Sequence, residues 1–306
     1  MNCIPTTSSE DCPNAIEGAI ARNLFRTDDD SSEDEDGECG DDATTPQSLN
    51  ASQESADHER IHTFVQYPIM DIVLEEQTIG GSIAQRLWPA AAYLANFIMT
   101  QHASSSQASD ESHTTRSTIS VPTTIIELGA GVGLTGLQLA TFFHCRVLLT
   151  DLPDAMPLLL RNIELNRKRF LGGEAAVQAQ VLTWGNQDDA ESALLWAGHT
   201  RQPVLIIASD CVYFPKLHTP LEQTLCHLLK GDRTGIKCLI AGMRRWKSDN
   251  AFFKNIGTKT KTTTHQLICE CLQETVTRTE QNQREIIRVF SIEWNERQKK
   301  KPLPRI

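Results

Sequence analysis

A glycine-rich turn and three acids are the residues of this chain whose types and spacing could do chemistry. The turn is Glu127–Leu128–Gly129–Ala130–Gly131–Val132–Gly133, and it follows the apolar run Thr123–Thr124–Ile125–Ile126. Gly129 and Gly131 let the backbone turn tightly and approach a ligand with no Cβ in the way. Gly133 and Gly136 let the next helix pack closely. Roughly twenty residues on, a second apolar run, Val147–Leu148–Leu149–Thr150, ends on Asp151, the placement that holds a ribose diol beside a glycine turn. The structural alternative for Asp151 is to cap a helix starting near Pro153–Asp154. A nucleoside cofactor is therefore the leading expectation. A pyrophosphate would put negative charge at the helix start, where Glu127 repels it. Glu127 suits an ammonium or sulfonium group, through direct, backbone or water contacts, and so favours S-adenosylmethionine over NAD.

Two further positions matter. Trp184 follows a third apolar run in Leu182–Thr183–Trp184–Gly185 and offers a broad ring for an adenine to stack on, unless it is an ordinary core residue. The fourth run ends in Ala208–Ser209–Asp210–Cys211–Val212–Tyr213. Without further information, Asp210 and Tyr213 there read equally as a surface acid and a core tyrosine.

The elements that must position these residues follow from periodicity. Strands are expected at 123–128, 145–150, 177–182, 203–208, 236–241, 264–271 and 285–292, with one or two short strands in 63–75. Helices are expected at 133–142, 154–169, 220–230 and 249–256, and an apolar stripe runs from Ile83 to Thr100. Unbroken runs such as Val204–Leu205–Ile206–Ile207–Ala208 fit strands covered on both faces. The expected class is α/β, a Rossmann-like sheet of seven strands with helices on both faces and an antiparallel C-terminal strand.

The formal net charge of -10 is uneven: residues 1–60 carry 16 acidic and 3 basic side chains, and the remainder is close to neutral. Residues 1–58 are expected to be a disordered acidic tail, because they have little to bury. Ser31 and Ser32, before Glu33–Asp34–Glu35–Asp36, fit an acid-directed kinase. Residues 59–306 are expected to form one domain with a polar loop at 101–120. No basic stripe suggests stable nucleic-acid binding, and no apolar stretch suggests a membrane span or secretory leader. Nine cysteines without a CxxC pair and scattered histidines argue for reduced thiols and no metal. A cytoplasmic monomer is the expectation.

The segments Gly81 to Ala91 with Trp88, Glu127 to Gly136, Leu182 to Gly185 and Ala208 to Tyr213 together resemble the non-histone protein lysine methyltransferases of the seven-β-strand class (methyltransferase family 16, the methyltransferase-like 21 group), over roughly residues 72–293. Asp210–Cys211–Val212–Tyr213 is similar to that family's DxxY signature. The resemblance implies cofactor contacts from Trp88, Gly129, Ala130, Gly131, Asp151, Trp184 and Ser209, where the family often has Ala at the last. It implies that Asp210 and Tyr213 lie where the methyl group meets the target lysine. Pro157 to Asn166 and Arg244 to Phe253 are similar to fungal members that methylate translation elongation factor 1-alpha, the expected protein partner. Related members act on Hsp70-type chaperones or a AAA ATPase.

Other functions remain open at this point. An amino-adenine methyltransferase would place an Asn/Asp-Pro-Pro-aromatic sequence after the fourth strand, and an arginine enzyme a pair of glutamates. Neither is present here. A non-catalytic interaction protein could keep the same fold. Arg244, Arg245 and Lys247 form a small basic cluster that reads as a solvated loop or as a docking patch for an acidic protein surface.

Overall fold

The computed structural model describes residues 62–67, 72–77, 85–107, 122–198, 203–230, 236–244, 247–256, 265–278 and 284–296. The acidic tail with Ser31 and Ser32, residues 108–120 of the polar loop, and Arg245 lie outside the described residues.

A hairpin comes first: β1 (His62–Tyr67) pairs antiparallel with β2 (Ile72–Gln77). The main sheet follows, with β3 (Thr124–Leu128), β4 (Arg146–Asp151), β5 (Val177–Val181), β6 (Val204–Ser209), β7 (Ile236–Met243), β8 (His265–Arg278) and β9 (Arg284–Glu296). Its order is β5-β4-β3-β6-β7-β9-β8. The first five of these pair in parallel, and β9 inserts antiparallel to both β7 and β8. The seven strands and the antiparallel C-terminal strand are as the sequence implied. Strand order reverses at β3, between β4 and β6, so a crevice opens at the carboxyl ends of these strands, the usual ligand position in such a sheet.

The helices are α1 (Pro89–Gln107), α2 (Leu134–Phe142), α3 (Met156–Asn166), α4 (Gln187–Ala197), α5 (Pro215–Leu229) and α6 (Lys247–Asn255). Alternate strand residues feed two cores. Ile125, Val147, Leu149, Leu205 and Ile207 pack with α1, α2 and α3, while Ile126, Leu128, Leu148, Ile206 and Ile240 pack with α4, α5 and α6. Both sheet faces are thus covered, which is why β3 is buried along its whole length.

Several boundaries differ from the sequence expectation. α1 begins at Pro89, where a missing N–H costs nothing, and continues to Gln107, into the segment expected to be loop. α5 begins at Pro215 rather than at 220, with Pro220 inside it. α4 was not expected, although its start is well marked. The Asn186 side chain accepts hydrogen bonds from the Asp188 and Asp189 amides at 3.0 and 3.3 Å, and both acids favour the helix start. Its weak apolar pattern, carried by Ala190, Ala193, Leu194 and Ala197, concealed it. No helix among the described residues is long and apolar enough to cross a membrane.

Candidate active site

A cavity of about 440 Å³ opens at the carboxyl ends of β3, β4 and β6, within the size range of small-molecule sites. Trp88, Gly129, Ala130, Gly131, Asp151, Trp184, Ser209, Asp210 and Tyr213 all line it. Of the site residues selected from sequence, Glu127 alone is absent from the lining.

The floor is the turn between β3 and α2. Gly129, Gly131 and Gly133 have φ of 62°, 57° and 87°, the left-handed region where a Cβ is costly. A Cβ on Gly129 would also stand 2.9 Å from both Cys211 Sγ and Trp184 Cζ2. Asp151 holds this turn in place. Its Oδ2 accepts the Gly131 N–H and its Oδ1 the Leu152 N–H, each at 2.7 Å. It does not cap the following helical turn, whose N-cap Leu152 has no side-chain bond. Each carboxylate oxygen keeps a second acceptor site, enough for two ribose hydroxyls. Burial pushes the Asp151 carboxyl above its ordinary pKa.

Glu127 has a different place. It is 1% exposed, and its Oε2 accepts the Gly136 N–H at 2.8 Å, satisfying a donor in the first turn of α2. Its Oε1 has no hydrogen-bond partner among the described residues. Burial raises its pKa to about 8, so the group is mostly protonated at neutral pH. Glu127 therefore reaches the cavity through the backbone of the turn and of α2 rather than by lining it. A single strand position cannot reveal which side chain on the next helix will cover it.

Trp184 is bracketed by two bonds. The Thr183 amide donates to Asp189 Oδ2 at 2.9 Å, and the Gly185 amide donates to Thr224 Oγ1 at 2.9 Å. α4 and α5 therefore fix the loop that carries the indole. On the opposite side, Ser209 Oγ lies 3.4 Å from Thr135 Oγ1.

Asp210 follows β6 with φ 51°, the one non-glycine residue with positive φ among the described residues. Such a backbone is strained for a residue with a Cβ, less so for Asp than for most. The strain is held from two sides. Its N–H donates to Ala241 O at 2.9 Å, and its Oδ1 accepts the Met243 N–H at 3.0 Å. Its Oδ2 accepts the Ala90 N–H at 3.4 Å, a long bond at the start of α1. Asp210 is 7% exposed, so it is not a surface acid. Tyr213 is half-buried, tilted against Phe214 with ring centroids 4.7 Å apart. Burial, with Cys211 and Asp151 nearby, raises its phenol pKa and keeps the hydroxyl neutral.

Sequence reasoning missed Arg86, Leu87, Leu152 and Phe214 in the lining. Each adjoins or lies close to a residue already selected, and that adjacency was the only signal. Phe214 is 47% exposed at the mouth, with Lys216 Nζ 5.6 Å from its ring centroid.

The arrangement is a crevice at the switch point of the sheet, lined by a glycine turn and an acid at the ends of β3 and β4 and by an acid and a phenol after β6. The profile of a family described as "Lysine methyltransferase" matches residues 68–259, more than half of the chain. The chain belongs to this family. It is 34% identical over 139 residues to Protein-lysine N-methyltransferase EFM6 of Saccharomyces cerevisiae, covering 43% of this chain and 54% of that protein. It is 33% identical over 134 residues to a Calmodulin-lysine N-methyltransferase of Arabidopsis thaliana, covering 43% and 41%. It is 30% identical over 132 residues to EEF1A lysine methyltransferase 3 of Xenopus tropicalis, covering 43% and 52%. The chain thus spans about half the length of the curated relatives it matches.

Proposed function

We propose that this member of the lysine methyltransferase family transfers methyl groups from S-adenosylmethionine to a lysine side chain of another protein. Translation elongation factor 1-alpha is the favoured substrate, and a cytoplasmic monomer the favoured form. One observation carries the reading: the Asp151-held glycine turn and the Asp210–Tyr213 segment line the same cavity.

The residues fit the cofactor. The Gly129 cradle would be filled by a Cβ, Asp151 retains acceptor sites for a ribose diol, and Trp184 offers a fixed aromatic face. Gly129, Ala130, Gly131, Asp151, Trp88, Trp184 and Ser209 would hold it. When bound, the cofactor supplies an electrophilic methyl on a sulfonium.

The chain's own residues must then deliver a neutral amine. A free lysine has a pKa of about 10.4, and passage through an apolar mouth lowers it by penalising the charged form. Asp210, whose carboxylate is fixed by the Met243 and Ala90 amides, would orient the amine by a hydrogen bond. A carboxylate also favours ammonium, so its role is orientation rather than strong base. Tyr213, with Phe214 against it, narrows the approach. Holding the amine in line with the bond to be broken is the main contribution expected of the protein.

Similarity to the Xenopus EEF1A lysine methyltransferase 3 supports elongation factor 1-alpha as the substrate, and similarity to the Arabidopsis calmodulin-lysine N-methyltransferase makes calmodulin the competing one. Arg244 is exposed beside Met243, whose amide bonds Asp210, and could meet acidic groups flanking the target. Lysate from cells lacking the gene, incubated with the protein and labelled cofactor, tests the reading. Label on a lysine of elongation factor 1-alpha is expected, label on calmodulin instead would reassign the substrate, and label on no protein would refute the activity.

A further inference from the structure

Two asparagines outside the cavity grip the strand β2. Asn162 and Asn166 lie one turn apart on α3, both fully buried. Their amides pair with the backbone of β2 as a neighbouring strand would. Asn166 Oδ1 accepts the Val73 N–H at 3.0 Å, and its Nδ2 donates to Val73 O at 2.7 Å. Asn162 Oδ1 accepts the Glu75 N–H at 2.7 Å, and its Nδ2 donates to Glu75 O at 3.0 Å. Residues 73 and 75 present the same edge of the strand to α3, so the helical repeat of four meets the strand repeat of two. The Glu75 carboxylate locks the junction through Arg161, at 3.1 and 3.0 Å.

The connection runs further in both directions. Asn162 Nδ2 also donates to Val132 O, in the glycine turn, at 3.0 Å. At the other end Glu76 Oε2 accepts the Leu87 N–H at 2.9 Å. Leu87 precedes the first residue of α1, so its amide has no partner in that helix and needs an acceptor. Arg86, Leu87 and Trp88 line the cavity. A continuous path of hydrogen bonds and one strand therefore joins the glycine turn to the Trp88 wall.

We infer that Asn162 and Glu76 are positioning residues for the cofactor, fixing the Arg86–Trp88 wall against the glycine turn through β2. The inference rests on the reading of the cavity as a cofactor site. Asn166 serves as an internal comparison: it grips β2 in the same way but makes no bond to the glycine turn.

Two readouts on the full-length protein test it. Hydrogen exchange without added ligand should show the Leu87 amide exchanging about tenfold faster in Glu76→Ala than in the wild type, as loss of one protecting hydrogen bond implies, and Glu76→Gln, which keeps the acceptor, should restore protection. Titration with S-adenosylhomocysteine should show Glu76→Ala and Asn162→Ala binding roughly threefold to tenfold more weakly, with Asn166→Ala within about twofold of the wild type. Unchanged Leu87 exchange in Glu76→Ala, or equal losses in the two asparagine variants, would overturn the assignment. Failure of the wild type to bind S-adenosylhomocysteine overturns the cofactor reading itself. Wild-type binding matched by equal affinity in Glu76→Ala overturns the positioning role alone.

Discussion

The turns that end β3 and β6 stand side by side at the switch point of the sheet, and both enter the left-handed region. The first does so with glycines, where the conformation carries little strain and a Cβ would strike Cys211 and Trp184. The second does so with Asp210, where the conformation is strained and two backbone amides hold the carboxylate. A glycine would satisfy the backbone at Asp210 more easily. The chain keeps a side chain there at a cost in stability, the pattern expected where that side chain serves function. One turn is shaped to leave room, and the other to present a group.

The comparison can be tested by exchanging what each turn lacks. The largest effect is expected from Asp210→Ala, which should lower methyl transfer by about 10²-fold, as loss of an orienting contact implies, while leaving cofactor affinity within a few-fold. Labelled turnover and a binding titration on the same preparation separate the two quantities. Gly129→Ala should do the reverse and weaken cofactor binding by about 30-fold, from left-handed strain and the close contacts with Cys211 and Trp184. Smaller again is a stability effect within one position. Asp210→Gly and Asp210→Ala lose the same hydrogen bonds, but only the alanine keeps the strained backbone. Denaturant unfolding should therefore find the glycine variant more stable by about 1 kcal/mol.

Much of this contrast was legible in the sequence, for physical reasons. Gly129 and Gly131 punctuate an otherwise apolar strand-to-helix passage, and Asp151 stands out as the acid that ends an apolar run. Position along a strand is a one-dimensional property, so these residues could be placed without coordinates. Asp210 and Tyr213 were less distinct as residues and gained meaning from the family resemblance. The hairpin's role was not legible. Asn162 and Asn166 look like ordinary polar residues of an amphipathic helix until β2 is brought against them. Glu127 is hard to read for the opposite reason, because a residue's type does not state how deeply it is buried.

Glu127 gives the smallest expected effect on activity near neutral pH, where Glu127→Gln replaces a mostly protonated acid by a neutral isostere. Its stability signature is in pH. The folded carboxyl is raised from 4.5 to about 8, so between these values the unfolded chain has released a proton that the native state retains. Wild-type stability should fall, relative to Glu127→Gln, as pH rises from about 5 to about 8, and level off above that. Parallel pH profiles of thermal unfolding for the two proteins would contradict a buried, protonated Glu127.

The central claim is that one cavity holds the cofactor on the glycine turn and presents its reactive end to Asp210 and Tyr213. A crystal structure with bound S-adenosylhomocysteine tests it most directly. The ligand is expected along Gly129–Gly131, with its ribose hydroxyls on Asp151 and its sulfur toward Asp210 and Tyr213. A ligand bound elsewhere, or in this cavity with its sulfur turned away from Asp210, would contradict it.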